Sequence, residues 1–151
     1  MKITFKKSTE QKIVDEKGIE VLSFVKSKAL PTRECYSVIN GRNENIGKIE
    51  KLRNNFGLFD LPKVVISVND SEVVFRKEIQ ELKDIFEISG DGISITGNLY
   101  GPEFNILKDE KLLASINVEK EELGYSYLVD VRDKSNEEQI LSILFGINWI
   151  I

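Results

Sequence analysis

The chain has 151 residues, 41% hydrophobic and 30% charged, with 10 Gly and 3 Pro, the balance of one globular domain with a single core; collagen-like, low-complexity and wholly disordered chains are excluded. It has no histidine and one cysteine, which excludes imidazole acid–base chemistry, Ser-His-Asp and Cys-His nucleophiles, internal disulfides and multi-cysteine metal sites. The net charge of −4 is uneven, +3 over residues 1–34, neutral over 35–84 and −7 over 85–151, and argues against a nucleic-acid partner, which needs a clustered basic face.

The start, Met1-Lys2-Ile3-Thr4-Phe5-Lys6-Lys7, is charged, but no apolar run of signal-peptide length follows it. No stretch reaches the roughly 18–20 apolar residues that span a bilayer. A cytoplasmic protein is therefore expected, and a lone Cys35 suits a reducing compartment. Lys2, Lys6, Lys7 and Lys12 read as charged protection for a terminal or edge strand.

A strand over 21–25 leads into Lys26-Ser27-Lys28-Ala29-Leu30-Pro31-Thr32-Arg33, which reads as a loop. Its basic groups Lys26, Lys28 and Arg33 are candidate contacts for an anion or a lipid head group. The competing reading is a solvated strand end. Cys35, in the strand-like 33–38, reads as a small buried hydrophobe. Asn40-Gly41 predicts a type I′ hairpin turn, whose two central residues need positive φ. Asn54-Asn55-Phe56-Gly57-Leu58-Phe59-Asp60-Leu61-Pro62 reads as a loop carrying three large apolar groups. Phe56, Leu58 and Phe59 would touch a partner or a membrane, or fold over one mouth of a barrel.

Period-2 alternation then dominates, as in strands with one buried face. Val64, Ile66 and Val68 share a side, as do Ile93, Ile95 and Leu99; Leu112, Ala114, Ile116 and Val118; and Tyr125, Tyr127, Val129 and Val131. Asn69-Asp70, Ser89-Gly90-Asp91-Gly92 and Lys108-Asp109-Glu110 separate successive runs and read, with Asn40-Gly41, as four hairpins. The spacing predicts about twelve largely antiparallel strands within residues 1–133, the count of a barrel or sandwich. No interval has room for a crossover helix.

Ser135-Asn136-Glu137-Glu138 predicts a capping box, Ser135 and Glu138 each satisfying the other's amide. Residues 136–150 then read as a helix that is apolar nearly all round, except for a strip with Gln139, Ser142 and Gly146. A C-terminal strand, suggested by the high Ile content, is the alternative that the capping box and the length disfavour. About twelve residues rise only about 18 Å, short of a hydrocarbon core of about 30 Å, so the helix belongs in the protein core. Phe145, Ile147 and Trp149 should be buried, with Ser142 or Gly146 where the wall comes closest. The acidic pairs Asp109-Glu110, Glu121-Glu122 and Glu137-Glu138 sit in turns or at a helix start and do not converge, so no catalytic residue, metal or cofactor is assigned.

The succession of units resembles the LURP-one-related family, which has the tubby C-terminal-like fold. The resemblance covers nearly all of the chain as one domain, 1–151. It lies in the strand–turn–strand units 64–75 and 104–116, in Phe86-Glu87-Ile88-Ser89-Gly90, and in Ile95-Thr96-Gly97-Asn98-Leu99-Tyr100-Gly101. It closes with Tyr125-Ser126-Tyr127-Leu128-Val129-Asp130-Val131 before the apolar helix. The resemblance implies a closed twelve-stranded β-barrel around a central hydrophobic C-terminal helix. It also implies distant relation to the phosphoinositide-binding tubby proteins and to phospholipid scramblases. The function expected is a non-catalytic binding module for anionic phospholipid head groups or a protein partner at the inner membrane surface. The alternative is an enzyme using carboxylates and Lys/Arg in a surface cleft.

Overall fold

A computed structural model describes residues 1–6, 8–27, 33–56, 59–80 and 83–151, with the backbone alone described at 54–56, 59–60, 80 and 83–84. The strands are β1 Lys2–Thr4, β2 Glu10–Val14, β3 Glu20–Ser27, β4 Arg33–Asn40, β5 Asn45–Phe56, β6 Phe59–Val68, β7 Ser71–Gln80, β8 Lys83–Ser89, β9 Ile93–Gly97, β10 Glu103–Lys108, β11 Lys111–Glu121 and β12 Gly124–Val131. A 3₁₀ turn, Lys134–Asn136, precedes the helix α1, Glu137–Ile150. Every ladder is antiparallel. They form a five-stranded sheet in the order β1-β12-β11-β10-β9 and a seven-stranded sheet in the order β2 to β8. Neither sheet closes on itself. The chain changes sheet twice, leaving one seam between β1 and β2 and another between β8 and β9.

Alternation builds the core. Leu22, Phe24, Val38, Ile49, Val64, Ile66 and Phe75 of the large sheet and Phe104, Ile106, Ile116 and Tyr127 of the small one are fully enclosed. Between them lies α1, whose residues 139–147 are all buried. A helix covered on every side needs apolar residues on every side, which explains its weak amphipathicity. Gly146 marks the close approach to β6, because a Cβ there would stand 2.8 Å from Ile66 Cδ1 and 3.2 Å from Val64 Cγ1. Trp149 is only half-buried, at the open end of the helix, where Tyr36 and Phe145 pack on it at 5.0 and 5.8 Å between ring centroids.

Asn69-Asp70 and Asp109-Glu110 are two-residue turns with positive φ at both positions, as type I′ geometry requires. Asn40-Gly41 is different. A four-residue loop joins β4 to β5, Asn43 takes the positive φ, and the Asn40 carboxamide oxygen accepts from the amides of Arg42 (3.0 Å) and Glu44 (2.9 Å). The Asn side chain substitutes for backbone partners, so Gly41 need not be left-handed. Ser89-Gly90-Asp91-Gly92 is not a hairpin but the passage from β8 into the other sheet. Gly90, Asp91 and Gly92 all have positive φ, and a Cβ on either glycine would collide with Glu72 O or the Asp109 carboxylate. The turn is wedged against two neighbouring hairpin tips, and β9 leaves it to pair with β10.

Three further expectations change. Residues 54–56 and 59–62 are strand rather than loop, since β5 and β6 pair out to Phe56↔Phe59. Pro62 is tolerated because the β6–β7 ladder stops one residue earlier, at Lys63↔Arg76, so no ladder needs its missing N–H. Leu112 points outward, because a register shift after Ile106 inserts Leu113 and moves the buried set to Leu113, Ala114 and Ile116. The capping box does not form either. The Asp133 carboxylate accepts from the Ser135 amide at 3.0 Å, while Glu138 Oε1 accepts from Asn69 Nδ2 at 3.2 Å. Starting the helix through a 3₁₀ turn moves the cap two residues upstream.

Candidate functional site

The basic cluster expected at 26–33 does not converge. β3 pairs with β4 through Lys26↔Tyr36 and Ser27↔Cys35. Lys26 therefore shares the core-facing side with Leu22, Phe24 and Tyr36, beyond the end of the core. Arg33, with Cys35 and Ser37, lies on the outer face. Lys26 Nζ stands 4.0 Å from Glu34 Oε2. Lys28 lies outside the described residues, as does Leu58, and the side chains of Phe56 and Phe59 are not described. Cys35 is only half-buried, on the outer face, rather than a core residue.

At the same end Lys51 is buried and serves the helix. Its Nζ donates to Trp149 O at 3.3 Å and stands 5.4 Å from the Trp149 ring centroid, a cation at a helix C-terminus where the dipole favours one. Burial pushes the Tyr36 phenol up, with a smaller contribution from Glu34, and its hydroxyl donates to Ser8 O at 3.1 Å. Sequence reasoning missed Lys51, because nothing in a strand's pattern says which lysine meets a helix end.

A second polar cluster sits at the start of α1. The Asp91 carboxylate accepts from Ser71 Oγ (2.8 Å), Lys108 Nζ (2.9 Å) and Gln139 Nε2 (2.8 Å). Hydrogen bonds from Gln139, then Lys108 and Ser71, hold its pKa at about 2, below the ordinary 3.8. These groups come from β7, β10, the 89–92 turn and α1, so the cluster ties both sheets to the helix. Its donors already occupy the carboxylate, which gives it a structural rather than a catalytic character. Tyr127, deep in the core, has its ionisation pushed well up, mainly by burial, and donates to Asn148 Oδ1 at 3.1 Å.

A concavity follows the β8–β9 seam. It measures about 390 Å³ and is walled by Phe75, Phe86, Ile88, Ile95 and Leu99, with Glu87 the charged group among its described lining residues. Phe75 and Phe86 stack at 5.6 Å, and Phe86 meets Tyr100 across the seam at 6.1 Å. Glu87 makes no ion pair among the described residues, and its cross-strand neighbour Arg76 leans to Glu78 at 3.9 Å. Among the described residues no three His, Cys, Asp or Glu groups converge as a metal site would require, and no helix is long and apolar enough to cross a membrane. Compared with family models, curated proteins and solved structures, the chain matches none.

Proposed function

We propose that the chain is a non-catalytic binding module of the LURP-one-related type, its two sheets acting as one twelve-stranded, tubby-like barrel around α1. Its partner is a protein at the inner membrane surface. The observation that carries this reading is the filling of the interior: residues 139–147 are buried on every side, so a partner must be met on the outer wall or at a seam. A photo-crosslinker placed at the exposed Thr96 of β9, with a control at the exposed Lys17 in the turn after β2, tests it in native-source cells. One discrete protein adduct from Thr96, found with the inner membrane and absent from Lys17, is expected. Equal labelling from both positions, or none, would overturn the reading.

Anionic head groups are the second reading, favoured by Lys26 standing at the rim beside Tyr36, which packs on the half-buried Trp149. Each basic group near an anionic leaflet contributes about 1 kcal/mol. With Arg33 on the other face, Lys26 and Lys28 supply about 2 kcal/mol, short of the roughly 4.1 that a millimolar affinity needs. Co-sedimentation with phosphatidylserine vesicles should therefore be weak, fall with salt, and fall again in Lys26→Ala with Lys28→Ala. Tight binding indifferent to both would place the lipid surface elsewhere on the molecule.

A further inference from the structure

We propose that the β8–β9 seam is a strand-addition site, which accepts an extended segment of the partner protein with apolar residues alternating with basic ones. The inference rests on the binding-module reading and names the chemistry of its partner. β8 is paired only with β7, and β9 only with β10. Each therefore presents one edge whose alternate N–H and C=O groups have no ladder partner, and the two edges face each other across the cleft. Unpaired edges recruit strands, and natural proteins normally blunt them with charge, proline or a cover. The facing stretches 85–89 and 93–97 contain no proline, and Glu87 is their one charge.

The register specifies the occupant. Phe75 pairs with Ile88 and Lys77 with Phe86, so Phe86 and Ile88 face inward. Ile95 pairs with the buried Ile106 and faces inward too, while Ser94 and Thr96 are exposed. A strand laid between the edges would send every second side chain against Phe86, Ile88 and Ile95, which calls for apolar residues. Its other side chains would emerge between Glu87 and the Ser94 and Thr96 hydroxyls. Glu87, without an ion pair among the described residues, calls there for Lys or Arg. β9 is five residues long, so the added strand is of similar length, about 17 Å at roughly 3.3 Å per residue. Water would be displaced from Phe86, Ile88, Ile95 and Leu99 as such a strand enters.

The test uses the whole chain against a displayed library of random nine-residue peptides, with hydrogen exchange read on the edges. Alternate amides within 85–89, and those of Ile95 and Gly97, should exchange fast in the free chain, while the Ile93 amide is held by Gly90 O. Selected peptides should alternate apolar with basic residues and slow those same amides at least tenfold. Glu87→Lys, on an exposed position, should weaken the selected peptides at least tenfold while leaving the exchange of core amides unchanged. Edges already protected in the free chain would overturn the proposal, because the seam would then be closed. Selection of no alternating sequence would overturn it as well, and a partner crosslinked from Thr96 would then show that the module binds without adding a strand. Edge protection that rises with protein concentration alongside dimer formation would also overturn it, by assigning the seam to a second copy.

Discussion

The two seams are built differently. At β1–β2, Gln11 spans the gap with its carboxamide: Oε1 accepts from the Lys6 amide at 2.9 Å and Nε2 donates to Thr4 O at 3.5 Å. Phe5 then plugs the space behind, its ring 6.4 Å from Phe24 of the large sheet, 6.0 Å from Tyr127 of the small one and 5.5 Å from Phe145 of the helix. At β8–β9 the Asp91 cluster ties the sheets at one end, the Phe86 and Tyr100 rings meet across the gap at 6.1 Å, and a cleft runs along the seam. Where the backbone ladder stops, side chains decide whether two sheets are sealed together or leave room for another chain.

The largest expected contrast comes from emptying each seam of an aromatic ring. Phe145→Ala removes a nearly enclosed ring shared by Phe5, Phe24 and Tyr36 and should cost about 3–5 kcal/mol, against total stabilities of roughly 5–15. Phe86→Ala removes a half-buried ring from the open seam and should cost about half as much. Urea unfolding of the two variants measures the difference, and equal losses would mean that the β8–β9 seam is packed as tightly as its counterpart. Removing 135–151 entirely should abolish cooperative unfolding, since both seams lean on α1.

Gly146→Val comes next. It drives side-chain atoms into Ile66 and Val64 on the large sheet, pushing the helix off the wall that both seams share. The expected cost is about 2–3 kcal/mol in the same assay, the overpacking outweighing any gain in helix propensity over Gly. A neutral result would show that the helix has room to shift.

Asp91→Asn loosens the polar tie at one end of the open seam and should cost about 1–3 kcal/mol at neutral pH. The sign with pH follows from the depressed pKa: about 2 in the fold against the ordinary 3.8. The carboxylate's contribution is complete above pH 4 and is lost as the pH falls from about 4 toward 2. Thermal unfolding between pH 2 and 6 should show a shallower acid limb in Asp91→Asn than in the parent. Parallel limbs would assign acid sensitivity to other carboxylates.

The smallest effect belongs to Gln11→Ala, about 0.5–1.5 kcal/mol, because the Phe5 plug remains. Its clearer readout is hydrogen exchange: the Lys6 amide, held by Gln11 in the parent, should exchange at least tenfold faster. An unchanged rate would mean that Phe5 alone seals the seam.

Residue alternation and turn chemistry were sufficient to locate most strands, the two turns at 69–70 and 109–110 and the apolar helix, because those features depend on chirality and on which side chains tolerate positive φ. The placement of Gly146 against the wall was legible for the same reason: on a helix that is apolar nearly all round, the smallest residue marks the closest approach. Tertiary structure decided the rest. Lys26 and Arg33 are close in sequence, yet the register Ser27↔Cys35 puts them on opposite faces, and register is a property of two strands together. Ser71, Asp91, Lys108 and Gln139 meet only because two sheets and a helix converge at one corner. The break at 89–92 was invisible for a related reason. Its glycines advertise a tight turn, but whether the next strand pairs backward or crosses to another sheet depends on what the turn is wedged against.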